Sequence, residues 1–344
     1  RPSRRFKKTS KEFKNRLIKD MDIRKLTFFS TCFAFLVVAL GAWTRLADAG
    51  LGCPDWPGCY GFFTLPTSPE EINLANNRFP ATPYEVAKAI PEVFHRFFAA
   101  GLGLLIMGIF ICIRRNSNAD DSLKKISGFL LIWVIFQGVF GYLTVSLKLL
   151  PIIVTGHLLF GFLTTVLLWL LHLKILDKED KGKSKWIFSS YLKRLIFLSI
   201  MLVTFQIFLG AWTSTNYASL SCPDFPLCQG MLIPEVNFLG GFNLMQEVGL
   251  NYLGGQMDQE SRTAIHFVHR LGALLVTAFV LFLVLKLFND RKIQIALIIL
   301  ILLVMQILLG ISNIIFQLPL LIAVAHNLGA LLLLSYLTAL RYRH

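Results

Sequence analysis

The sequence predicts an all-α polytopic membrane protein whose eight transmembrane helices form two tandem, parallel-repeat four-helix bundles. Three observations predict it: an apolar composition, eight apolar runs of spanning length, and a long internal repeat. Of 344 residues, 55% are hydrophobic and only 16% charged, against about 25% charged in soluble domains. Mean hydropathy is +0.62. Such a chain has too little polar surface to cover a soluble core.

A bilayer span needs about 20 mostly apolar residues. Runs over 26–44, 93–113, 126–147, 151–171, 195–213, 263–285, 293–316 and 319–340 meet that need. In lipid they must be helical, because every backbone polar group needs a partner within the segment.

The formal net charge of +14 raises nucleic acid binding as a class. The placement of the charge excludes it. Eleven Lys and Arg crowd residues 1–25. More follow at Arg114, Arg115, Lys124 and Lys125, from Lys174 to Arg194, at Lys286, Arg291 and Lys292, and at Arg341 and Arg343. Ser214 to Ser261 contains none. Cations on alternate loops follow the positive-inside rule, so both termini are expected in the cytoplasm and the charge is topological. Residues 1–25 lack the apolar core of a signal peptide. Met21 is a candidate start, with 1–20 as an extension.

The repeat sets the domain plan. GAWTRLADAGLGCPDWPGCYG from Gly41 returns as GAWTSTNYASLSCPDFPLCQG from Gly210, 169 residues later. Gln137, Gly141 and His157 return at the same offset as Gln306, Gly310 and His326. Four spans per unit make the repeat parallel. The expected plan is a basic tail (1–25), an N-terminal half (26–176), a charged linker (177–194) and a C-terminal half (195–344).

Ionisable residues inside spans are costly and mark function. Within the runs they are His95, Arg96, His157, His266, His269, Arg270 and His326, all on even-numbered spans and toward the outer end. Imidazole is a strong axial ligand of haem iron. Each half offers one pair, His95 with His157 and His269 with His326. Zinc sites use three or four ligands at local Cys/His spacing, so two histidines per half fit haem better. Arg96 and Arg270 follow ligand candidates and suit haem propionates, or snorkel to the interface. Glu92 shares a helix face with His95, and a carboxylate there could reach a haem edge or simply favour a helix start. The matching position is His266, a supporting residue or a rival of His269 as ligand. His172 and His344 fall at cytoplasmic ends and read as solvated.

Of six cysteines, Cys32 and Cys112 lie in apolar runs and read as small buried hydrophobes. Cys53, Cys59, Cys222 and Cys228 form two pairs in outer loops. An oxidising compartment favours Cys53–Cys59 and Cys222–Cys228 as disulfides, shaping lids over the haem edges.

TRLADAGLGCPDWPGC, EVFHR, VTGHLL, CPDFPLC, IHFVHR and AVAHNLGALL together resemble the haem A synthase family, in its bacterial branch with paired-cysteine outer loops. The resemblance implies an oxidoreductase that oxidises the C8 methyl of haem O to the formyl of haem A, in two successive steps, for terminal oxidase assembly. It implies a haem b cofactor, with its iron, on His269 and His326, substrate haem on His95 and His157, and Glu92 as the essential acid. It further implies the bacterial inner membrane, with haem sites near the periplasmic face, a haem O synthase that hands over the substrate, and an electron donor the sequence does not specify. The expected partners are thus haem O, these proteins and membrane lipid; a homo-oligomer is left open. The competing reading is a dihaem membrane cytochrome b. Its ligands are expected at two depths, whereas these four share one side. A membrane thiol oxidoreductase would need reactive CxxC-like pairs, and a haem transporter would not need Glu92.

Overall fold

The computed structural model describes residues 4–117, 119–179 and 186–343, with side chains from residue 23 and none at 179. The linker residues 180–185 and His344 lie outside the described residues. The described chain is helical: α1 (Arg4–Leu46), α2 (Pro69–Arg78), α3 (Val86–Arg115), α4 (Asp121–Ser146), α5 (Pro151–Glu179), α6 (Ser190–Thr215), α7 (Phe238–Gly241), α8 (Gln259–Asn289), α9 (Ile293–Ile315) and α10 (Leu320–Tyr342).

Eight of these are long and apolar enough to cross a membrane, all but α2 and α7. They coincide with the eight apolar runs, and α3, α6 and α8 run past theirs at both ends. Asp120, Ser189 and Asp258 accept N–H bonds at the starts of α4, α6 and α8, satisfying donors that the first turn leaves orphaned. Pro151 opens α5, where its missing N–H costs nothing. The basic tail is not separate from the first span, since α1 runs unbroken from Arg4.

The packing closes two rings. Helices α1, α3, α4 and α5 pack in sequence, and α5 returns to α1. Helices α6, α8, α9 and α10 do the same, with α10 returning to α6. The rings meet where α1 packs on α10, α5 on α6, and α5 on α10.

Buried and exposed positions differ little in polarity, as expected where lipid is as apolar as the core. Ile106, Ile109, Leu168 and Leu171 are buried inside the first ring, and Val280, Leu283, Ile299 and Leu337 inside the second. Phe129, Ile132, Ile135 and Val139 on α4 face outward.

Two expectations are corrected here. His172 is not solvated. Because α5 continues to Glu179, the ring lies within the helix, only 5% exposed. Its Nδ1 is 3.0 Å from Thr27 Oγ1 on α1, and it packs between Phe28 and Trp169. Nor is Cys32 a core residue: it faces outward, whereas Cys112 is half-buried and packs against the core of the first ring. An apolar environment does not mean the protein interior when the surroundings are lipid.

The linker's near end is tied down where it is described. Asp177 pairs with Arg343 at 2.8 Å, and Trp186 N–H donates to the Arg343 carbonyl.

If packing rather than hydropathy stabilises the rings, Ile299→Ala should cost about 2 kcal/mol by leaving a cavity. Ile132→Ala, with that side chain 69% exposed, should cost under about 0.5 kcal/mol. Thermal unfolding of the two variants in detergent measures the difference.

Candidate functional site

Each histidine of interest stands on the second or fourth helix of its ring and meets the helix before it. Counting ~1.5 Å per residue, His95 and His269 lie about 14–15 Å from the cysteine-loop ends of α3 and α8. His157 and His326 lie about 9 Å from the same ends of α5 and α10 by the same rise. All four therefore occupy one depth zone. Their side chains are half-buried, whereas Glu92 and His266 are buried at 4% exposure each.

A glycine backs every one of the four rings. A Cβ on Gly41 would come 2.8 Å from His95 Cε1, and on Gly210 3.1 Å from His269 Cε1. On Gly141 and Gly310 it would come 3.4 Å and 3.3 Å from Cε1 of His157 and His326. Only a residue without Cβ lets the helices approach with an imidazole between them.

One turn before three of these glycines stands a glutamine. Gln137 Nε2 donates to the His157 carbonyl at 2.7 Å and Gln306 Nε2 to that of His326 at 3.0 Å. Gln206 Nε2 lies 2.9 Å from the His269 carbonyl and 3.0 Å from its Nδ1. Gln206 was not among the sequence candidates. The thrice-repeated Q-x-x-x-G would have marked it.

The loops are built alike. Cys53–Cys59 and Cys222–Cys228 are disulfide-bonded, with Cα separations of 4.8 and 4.5 Å. Asp55 accepts the N–H groups of Tyr60 and Gly61, and Asp224 those of Gln229 and Gly230. The bonds from Gly230 and Gln229 hold the Asp224 carboxyl below the usual range. That contribution is present above the ordinary carboxylate pKa and lost in acid. Burial first, then Glu85 and Glu92, pushes the Tyr60 phenol up to about 12, and its hydroxyl donates to the Pro83 carbonyl at 3.2 Å.

Each loop docks on the helix that carries the first histidine of its half. Glu92 Oε2 accepts Cys53 N–H at 2.8 Å, and Oε1 pairs with Arg96. Arg96 also donates to the Asp55 and Gly58 carbonyls. In the second half Cys222 N–H reaches His266 Nδ1 at 3.3 Å. Arg270 donates to the Leu227 and Cys222 carbonyls, and its Nε lies 3.3 Å from His266 Nε2. Glu92 and His266 thus hold equivalent places under the two loops. Helix α3 begins six residues before Glu92, beyond the first turn where a helix dipole acts, so a helix-start role does not describe it.

The ring centres of His95 and His157 are 6.4 Å apart with planes at 90°. Two imidazoles that bind one metal at about 2 Å from opposite sides have centres about 6.3 Å apart. His269 and His326 are within electrostatic reach of one another. Nδ1 of His157 and of His326 is buried without a hydrogen-bond partner. Among the described residues no group of three or more His, Cys, Asp and Glu could hold an ion. One histidine pair in each half suits an iron whose other positions are filled by a macrocycle.

Fold and site define a polytopic helical membrane protein with a half-buried, glycine-backed histidine pair in each of two four-helix rings. Residues 24–338 match the family model COX15-CtaA, cytochrome oxidase assembly protein, and the chain belongs to that family. It is 39% identical over 324 residues to the haem A synthase of Shewanella oneidensis, covering 94% of this chain and 96% of that one. It is 27% identical to the haem A synthase of Wolbachia pipientis from Culex pipiens, covering 92% and 96% of the two chains. It is 26% identical to that of Rickettsia prowazekii, covering 91% and 95%.

Non-reducing peptide mass spectrometry on membranes should recover Cys53 joined to Cys59 and Cys222 joined to Cys228. Free thiols at all four would contradict the loop structure.

Proposed function

We propose that this chain is a haem A synthase, which oxidises the C8 methyl of haem O to a formyl group in two successive oxidations and so supplies haem A for terminal oxidase assembly. The observation that carries this reading is the near end-to-end match with the Shewanella enzyme, 39% identical. The two glycine-backed histidine pairs support it.

In this reading the N-terminal half takes substrate haem O between His95 and His157. The C-terminal half holds haem b through His269 and His326. When bound, haem b supplies a one-electron redox centre. The protein's residues bind, orient and screen. Arg96 and Arg270 stand at the loop-facing edge, and guanidinium N–H groups not engaged by loop carbonyls would serve propionates.

Glu92 is the proposed catalytic residue. Its carboxylate, fixed by Cys53 N–H and Arg96, would take a proton from, or stabilise positive charge at, the reacting methyl. His266 supplies no permanent anion at the equivalent place, which confines the chemistry to the first half. The basic loops support both termini in the cytoplasm and sites near the periplasmic face of a bacterial inner membrane. The partners in this reading are a haem O synthase that delivers substrate and a redox partner for the haem b. The shared depth of the four histidines favours the synthase over a dihaem cytochrome b that carries electrons across the bilayer.

Glu92→Gln keeps the acceptor for Cys53 N–H and removes the anion. Haem binding through His95 should persist, haem A should fall to near zero, and haem O or a hydroxylated intermediate should accumulate. His269→Ala should instead deplete haem b. The haem A to haem O ratio at matched protein levels reads the first outcome, and a wild-type ratio would remove Glu92 from the mechanism.

A further inference from the structure

At the membrane face that carries the basic loops, the two halves differ at a place the repeat makes equivalent. In the first half the His172 ring of α5 lies 5.4 Å from the Phe28 ring and is 5% exposed. Thr27 Oγ1, 3.0 Å from His172 Nδ1, holds it against α1. In the second half, 169 residues on, Arg341 stands for His172 and Ile196 for Thr27. Ile196 has no hydroxyl to draw a polar side chain inward, and Arg341 is exposed.

The second half has at this place a hollow of about 310 Å³, lined by Lys193, Arg194, Phe197, Leu198 and Arg341. Helical spacing builds one wall. Phe197 and Leu198 stand four residues past Lys193 and Arg194, so each apolar side chain shares a helix face with a cation. The packing of α10 on α6 brings in the third cation, from the last turn of α10. Phe197 and Leu198 are 49% and 46% exposed, on a helix long and apolar enough to span a bilayer. Among the described residues no carboxylate pairs with Lys193 or Arg194. Asp177 on the neighbouring α5 is taken by Arg343 at 2.8 Å. Cations gathered round one hollow repel each other and attract an anion. The positive-inside pattern asks for cations in loops. It does not ask for a hollow between two spans with apolar side chains in its wall.

We propose that this hollow binds the headgroup of an anionic glycerophospholipid. The guanidinium and ammonium groups take the phosphate, and Phe197 and Leu198 take the first carbons of the acyl chains. Basic pockets between spans suit such headgroups. A free phosphate would satisfy the cations and leave both apolar side chains uncovered, so the occupant is a lipid of the surrounding bilayer. Helix α6 presents Gly210 to His269, and α10 carries His326. A lipid held by both helices therefore fastens the far end of the ring that holds the second histidine pair.

The test titrates phosphatidylglycerol into delipidated full-length protein in mild detergent, with lipid-bound species counted by native mass spectrometry. Phosphatidylcholine with the same chains and inorganic phosphate are titrated in parallel. One phosphatidylglycerol should bind more tightly than any further one and more tightly than phosphatidylcholine, and inorganic phosphate should not displace it. Each cation removed should weaken this binding about fivefold, so Lys193→Gln, Arg194→Gln and Arg341→Gln combined should weaken it about a hundredfold by the same estimate. Arg341→Gln alone, at an exposed position, serves if the triple variant does not accumulate. Arg24→Gln with Lys25→Gln makes the change of Lys193→Gln with Arg194→Gln at the repeat positions, and should leave the tightest binding unchanged. Wild-type affinity after the loss of Arg341, or an equal fall when Arg24 and Lys25 are changed, overturns the proposal in favour of general surface charge. Displacement by inorganic phosphate overturns it in favour of a free-anion site, and so does phosphatidylglycerol binding no tighter than phosphatidylcholine, in favour of a bare lipid-facing surface.

Discussion

An imidazole pressed against a glycine backbone recurs four times and sets how closely the helices of each ring approach. Where His95 meets Gly41 and His269 meets Gly210, the ring fills the space that a side chain on the facing helix would take. The contact fixes helix spacing, ring depth and ring orientation together. Interiors are close-packed, so a methyl group added at Gly41 would displace the His95 ring or part the helices, and one at Gly210 or Gly310 would press on the facing imidazole. In a bilayer this matters more than in water, since helix association there depends on close packing rather than on hydrophobic transfer.

The same contact explains why the loops are elaborate. Each first histidine lies between the two residues of its helix on which a disulfide-closed loop docks. Arg96 and Arg270 gather carbonyls that the loops cannot satisfy internally. Residues 92 and 266 receive the backbone N–H of the first cysteine. One scaffold therefore carries a carboxylate in one half and an imidazole in the other without altering the loop path. A difference confined to charge, on an otherwise repeated frame, separates the chemistry of the two sites.

The rings are joined with similar economy. Arg45 stands at the repeat position of Ser214 and donates to the Ser214 carbonyl, while its guanidinium lies 4.0 Å above the Tyr217 ring. Thr155 and Thr215 hydrogen-bond across the same seam at 3.1 Å. Arg45 and Ser214, equivalents within the repeat, thus become partners across it.

The eight spans were legible in the sequence because hydrocarbon permits few alternatives: an apolar run of that length must be a helix. The four histidines stood out in the sequence because ionisable residues are rare inside such runs, and Glu92 because it shares a helix face with His95. The disulfides were legible because both cysteines of each pair share one short loop. Only the tertiary structure decided which face of a helix meets protein and which meets lipid, since both surroundings are apolar. Cys32 proved to face outward for that reason, and His172 proved buried because α5 runs on past the apolar window and turns the ring toward Thr27. The partners of Glu92, His266 and Gln206 were likewise decided by folding. Hydrogen bonds to loop N–H groups and to carbonyls of another helix depend on how the helices are rotated, and hydropathy carries no record of rotation.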